Sequence, residues 1–128
     1  MAVGDYKKAK DITPKTKEKV LARQNGRSIT GTILYPGNTE FHHVRPRSDS
    51  GVGYEWNIVA ITSEEHRLYH DHQPIKVNGR VRYSWDEFDT LLKNHLILRY
   101  LNWDWEKTKY HKYWEEEDYG IVARSGHL

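Results

Sequence analysis

The chain of 128 residues contains no cysteine, one methionine and two phenylalanines. Without thiols, neither disulfides nor cysteine-ligated zinc can hold the fold. Apolar residues make up 37% and mean hydropathy is −0.91, so the core is small for the length. Five Trp and nine Tyr must supply much of it, because each aromatic ring removes a large area from water. No apolar run approaches a membrane span, and no charged-then-apolar leader opens the chain. A soluble cytoplasmic protein is the expectation.

Net charge is only +2, yet its distribution is uneven. Residues 1–50 hold ten Lys/Arg against five acids, whereas residues 103–119 hold six acids against three lysines. Alone, the basic half fits a solvated lysine-rich face as well as a polyanion contact. The histidines beside it favour nucleic acid.

Residues 1–12 read as a basic arm, mobile or loosely docked, and residues 13–128 as one domain. Thr13-Pro14 starts a helix, threonine as cap and proline in first position, that runs to about Gln24 before Asn25-Gly26. Ile29–Tyr35 is β-branched and alternates loosely, which predicts a strand, with Thr39–Val44 as its partner. Pro46–Gly53 has loop composition, and a short apolar run, Ile58–Ile61, follows Asn57. Thr62 or Ser63 caps a helix with Glu64 and Glu65 in its first turn. Asn78-Gly79 centres a hairpin over 75–83. Ser84 and Glu87 form a capping box that opens a long amphipathic helix, which the aromatic stretch Trp103–Trp114 extends. Residues 115–128 read as a tail.

Four of the eight histidines lie within residues 41–70: the pair His42-His43, then His66 and His70. The last two are spaced i, i+4 and share one helix face. One residue of the pair can complete a three-ligand set. The other is then free as a base, since neighbours on a strand point to opposite sides. Such a set suits phosphodiester hydrolysis, which needs a cation beside the phosphate and a neutral base for the attacking water. His72, two residues beyond His70, should face elsewhere and reads as a surface residue, His95 reads as a core-edge residue, and His111 and His127 show no partners. Trp103, Trp105, Tyr110, Tyr113 and Trp114, interleaved with lysines, could stack on unpaired bases. The acids from Glu115 to Asp118 favour core packing or a subunit contact instead.

The doubled histidine, the central asparagine and the spaced histidines over residues 14–72 resemble the HNH endonucleases, the ββα-metal or His-Me finger family. The resemblance implies an α+β fold: a ββα-metal core over about 28–72, preceded by a helix and followed by a hairpin and long helix over about 75–114. It implies His42, His66 and His70 as metal ligands, His43 as general base, and Asn57 as the residue that ties the loop and helps orient that base. Arg45 and Arg47, with Lys15, Lys17 and Lys19, become candidate DNA contacts. The implied cofactor is one divalent ion (Mg2+, Mn2+, Zn2+ or Ni2+), and the implied activity is DNA cleavage leaving a 5′-phosphate and a 3′-hydroxyl. Small stand-alone members are common in phages, some of them nickases beside the packaging terminase, so DNA and terminase subunits are the implied partners, inside a bacterial host. A non-catalytic nucleic-acid-binding protein of the same fold, and a nuclease for RNA, are the competing readings. Many family members brace the core with zinc on two CxxC pairs; the aligned positions here are Ser28 with Gly31 and Thr62 with Glu65, and no structural cysteine-bound zinc is expected.

Overall fold

The computed structural model describes residues 3–124 and has a mixed α+β architecture. The first helix, α1 (Val3–Lys10), lies where the basic arm was expected. It is docked: Ala9 O accepts from Gly53 N at 2.8 Å, and Tyr6 Oη meets Ser50 Oγ at 3.0 Å. The next, α2 (Pro14–Arg23), begins as the sequence dictates, with Thr13 Oγ1 accepting from Thr16 N at 3.1 Å. It ends before a turn in which Asn25 and Gly26 take φ of 53° and 67°.

Strand β1 (Thr39–His43) pairs antiparallel with β2 (Ile58–Thr62), His42 opposite Val59 and His43 opposite Ile58. The expected partner, Ile29–Tyr35, is not a strand. Gly31 turns the backbone to φ +89° and breaks the run: Ile29 and Leu34 pack against separate clusters, while Ile33 and Tyr35 are 60% and 59% exposed. Every residue of β2 is buried, because the pair is covered on both sides. Val59 and Ile61 join the main core with Leu68, Phe88, Leu92 and Leu96. Ile58 and Ala60 pack on Val20 of α2. A run buried on two faces loses its polar alternation, which is why the sequence shows only an apolar stretch there.

Helix α3 (Ser63–His70) follows β2 without a linker. Thr62 is both the last strand residue and the cap: its hydroxyl accepts from Glu65 N at 3.0 Å, while Glu65 Oε1 accepts from Thr62 N at 2.8 Å. This junction fixes the histidine-bearing face of α3 against β1.

The hairpin β3 (Ile75–Val77) and β4 (Arg80–Tyr83) turns at Asn78-Gly79, both with positive φ, and α4 (Trp85–Arg99) opens on the Ser84–Glu87 capping box. The helix stops at Arg99, short of the aromatic stretch. Tyr100–Leu101 (β5) is extended and pairs with Val122–Ala123 (β6). Residues 115–124 of the expected tail therefore fold back, and the remainder lies outside the described residues. Tyr119 is 1% exposed and packs on Tyr54, Trp56 and Trp114. Trp103, Trp105, Tyr110 and Trp114 pack against the core, as the core-packing reading expects, and Tyr113 stays exposed. Backbone bonds from Val52 N to Thr108 O (2.9 Å) and from Tyr110 N to Ser50 O (2.8 Å) clamp this segment onto the β1–β2 loop. Among the described residues no helix is long and apolar enough to cross a membrane. His127 lies outside them.

Candidate metal centre

His42 projects from the core face of β1, and His66 and His70 stand one helical turn apart on α3. Among the described residues these three form the one group with metal-like spacing: their ligand nitrogens all lie within 4.8 Å of one another. His66 Nε2 and His70 Nε2 are 2.9 Å apart. Tetrahedral zinc with imidazole ligands spaces its nitrogens by about 3.3 Å, so a small outward movement of the two rings admits an ion.

His42 is 4% exposed, and its Nε2 is buried without a hydrogen-bond partner. Burial first, then the neighbouring His66 and His70, push its pKa down to about 3. The ring is therefore neutral and offers a lone pair, as a metal ligand must. The orphaned nitrogen also carries an unrelieved desolvation cost that a bound cation would remove. Glu40, two residues earlier on the same strand face, accepts from His66 Nδ1 at 3.1 Å. That contact directs His66 Nε2 toward the cluster, the usual role of a carboxylate behind a ligating histidine. The donor set fits a divalent ion with coordination positions to spare.

His43 opens onto the same cleft, of about 640 Å3, together with His42, His66, His70 and Arg47. Its Nε2 lies 2.8 Å from Lys10 O. A carbonyl only accepts, so Nε2 carries the hydrogen and Nδ1 keeps the lone pair. Burial lowers the His43 pKa, partly offset by that backbone bond.

Asn57 is fully buried at the end of the loop joining the two strands. Its Oδ1 accepts from Arg45 N at 2.7 Å, and its Nδ2 donates to Arg45 O (3.1 Å) and Val52 O (2.8 Å). With every polar atom of its amide engaged, Asn57 closes the loop directly behind the histidine pair.

The basic residues divide. Arg45 turns inward and is 5% exposed. It donates to Thr108 Oγ1, Asp49 Oδ2 and Trp105 O at 2.8, 2.7 and 3.1 Å, so it serves the loop and presents nothing to a phosphate. Arg47 reaches the cleft rim, paired with Asp11 at 2.9 Å. Lys17 shares a surface groove with His43 and Arg47, whereas Lys15 and Lys19 are exposed on α2.

Other cleft groups carried little or no sequence signal. Tyr69, Trp85, Asp89, Lys93 and Trp105 line it from α3, α4 and the segment beyond. His72, expected to face elsewhere, lines the rim with its ring 4.6 Å from Trp85. His111 does find partners, stacking on Trp114 at 4.3 Å and meeting Glu106 O at 3.0 Å. Comparison with protein-family models, curated proteins and solved structures returned no match.

Proposed function

We propose that this protein is a divalent-metal-dependent DNA endonuclease of the HNH type, with β1, β2 and α3 as its ββα-metal unit. The observation that carries the reading is the division of labour between adjacent residues. His42 joins His66 and His70 around a common point, while His43 lines the same cleft with Nε2 tied back and Nδ1 free. A site that only bound nucleic acid would need no base held in one tautomer beside a ligand cluster.

In this reading His42, His66 and His70 hold the ion. When bound, the cation would neutralise phosphate charge and stabilise the departing oxygen. His43 Nδ1 takes a proton from the attacking water, and Lys10 O holds the far side of the ring. Asn57 keeps the loop that carries Arg47 in place, and Arg47, once released from Asp11, meets a phosphate at the rim.

The test is nicking of supercoiled plasmid with Mg2+, Mn2+, Zn2+ or Ni2+, with a chelator control and a parallel RNA substrate. Metal-dependent nicking is expected, and His43→Ala should lower it by about 100- to 10,000-fold at unchanged metal affinity. DNA binding without cleavage under every metal would leave a binding module. Cleavage of RNA alone would move the activity to the other polymer.

A further inference from the structure

We infer that α1 is a working part of the active site, its last carbonyl fixing the tautomer of His43, and that Gly53 is the positioning residue that lets it do so. This rests on the proposed role of His43 as base. A neutral imidazole offers its lone pair on either nitrogen, and only one tautomer presents it to the water. The Lys10 carbonyl, 2.8 Å from His43 Nε2, selects that tautomer. Arg47 Nη1 donates to the same oxygen at 2.7 Å and pairs with Asp11 at 2.9 Å, so the end of α1 is pinned from two sides.

An eight-residue helix is marginal alone, and its place depends on what it docks against. Besides the bonds at Lys10, α1 is tied to the β1–β2 loop through Gly53 N to Ala9 O (2.8 Å) and Tyr6 Oη to Ser50 Oγ (3.0 Å), while the Tyr6 ring meets Tyr110 at 4.7 Å. The closest approach is at Gly53. A β-carbon there would overlap Asp11 O and sit 2.5 Å from the Asp11 carbonyl carbon and 2.8 Å from Lys10 O. All three are main-chain atoms that no rotamer change moves aside. Gly53 has no positive φ, so alanine suits its own backbone and the clash falls on the end of α1. Gly53→Ala therefore displaces the Lys10 carbonyl and leaves His42, His66 and His70 untouched.

The experiment uses the full chain and nitrogen NMR of the imidazoles at about pH 8, above the histidine range. Wild-type His43 should show one protonated Nε2 and one bare Nδ1; Gly53→Ala should show an average of both tautomers. On plasmid DNA, Gly53→Ala should lower kcat by about tenfold to 100-fold, with KM and zinc affinity unchanged. Tyr6→Ala, which loosens α1 from the far side, should shift tautomer and kcat in the same direction and decides the matter if Gly53→Ala does not fold. Mixed tautomers in the wild type, or a Gly53→Ala protein with the wild-type tautomer and full kcat, overturns the inference. A wild type that cuts nothing sinks the nuclease reading, and the tautomer measurement then still decides whether α1 holds the ring.

Discussion

Ser28 Oγ donates a 2.6 Å hydrogen bond to Glu65 Oε1, joining the loop before β1 to the first turn of α3. Glu65 is 2% exposed, and its carboxylate also accepts from Thr30 Oγ1 at 2.5 Å and Thr62 N at 2.8 Å. Ser28, Thr62 and Glu65 are three of the four positions that the resemblance to HNH endonucleases sets against zinc-binding cysteines. A buried carboxylate ringed by donors thus ties the α2–β1 loop to the start of α3.

Glu65→Ala strands three donors, two of them on the loop. A buried donor left without its charged acceptor costs about 1–3 kcal/mol, so a total loss on the order of 3 kcal/mol is expected. Glu65→Gln keeps one acceptor oxygen and should lose less. Urea denaturation of the two variants measures the difference, and a wild-type midpoint in Glu65→Ala would show that the bonds contribute nothing net.

His42→Phe separates ligand from packing. Phenylalanine fills the ring's place and removes the partnerless nitrogen, so the metal-free protein should be at least as stable as wild type. Zinc at a hundredfold excess over its Kd should stabilise the wild type by about 2.7 kcal/mol and the variant not at all. Thermal melts with and without zinc make the comparison. A zinc-induced rise in the Tm of His42→Phe equal to that of wild type would remove His42 from the ligand set.

Glu40→Ala should weaken zinc binding by about 10- to 100-fold, as loss of a partner behind a ligating histidine typically does. His66 would keep its Nε2 and lose only the contact that aims it. Competition against a chromophoric chelator reads the affinity; an unchanged value would mean that the 3.1 Å contact is incidental.

What was legible in the sequence was local. The i, i+4 histidines, the Thr13-Pro14 helix start, the Asn78-Gly79 turn and the Ser84–Glu87 box each act within a few residues, and each lies where expected. The pairing of β1 was misread because Ile29–Tyr35 has strand-like residues but is broken by the turn at Gly31, while β2 is buried on both sides and shows no alternation. Arg45 looked like a phosphate contact because charge composition cannot reveal that Thr108 and Trp105, some sixty positions away, enclose it. Glu40 was findable, since it sits two residues before His42 on the same strand face. The Lys10 carbonyl was not, because a main-chain group leaves no mark in a sequence.

Acid should destabilise the protein earlier than carboxylate protonation explains, and His95 should account for part of it. Its Nε2 is buried without a partner beside a cavity of about 320 Å3 that Arg23, Arg27 and Arg99 also line. Burial first, then Arg23 and Arg99, depress its pKa to about 3. The unfolded chain takes up a proton near the ordinary value of about 6.5 while the folded protein refuses it. Stability from this group is therefore full above about pH 6.5 and falls as pH drops toward 3. Between about pH 7 and 5 one such group removes at most about 2 kcal/mol. The buried His42 adds a similar slope, so the comparison must be between wild type and His95→Leu, which keeps the bulk beside Leu91 and Leu98 and cannot titrate. Urea midpoints at the two pH values should fall less in His95→Leu than in wild type. Parallel falls in both proteins would mean that His95 takes up its proton in the folded state as readily as in the unfolded chain.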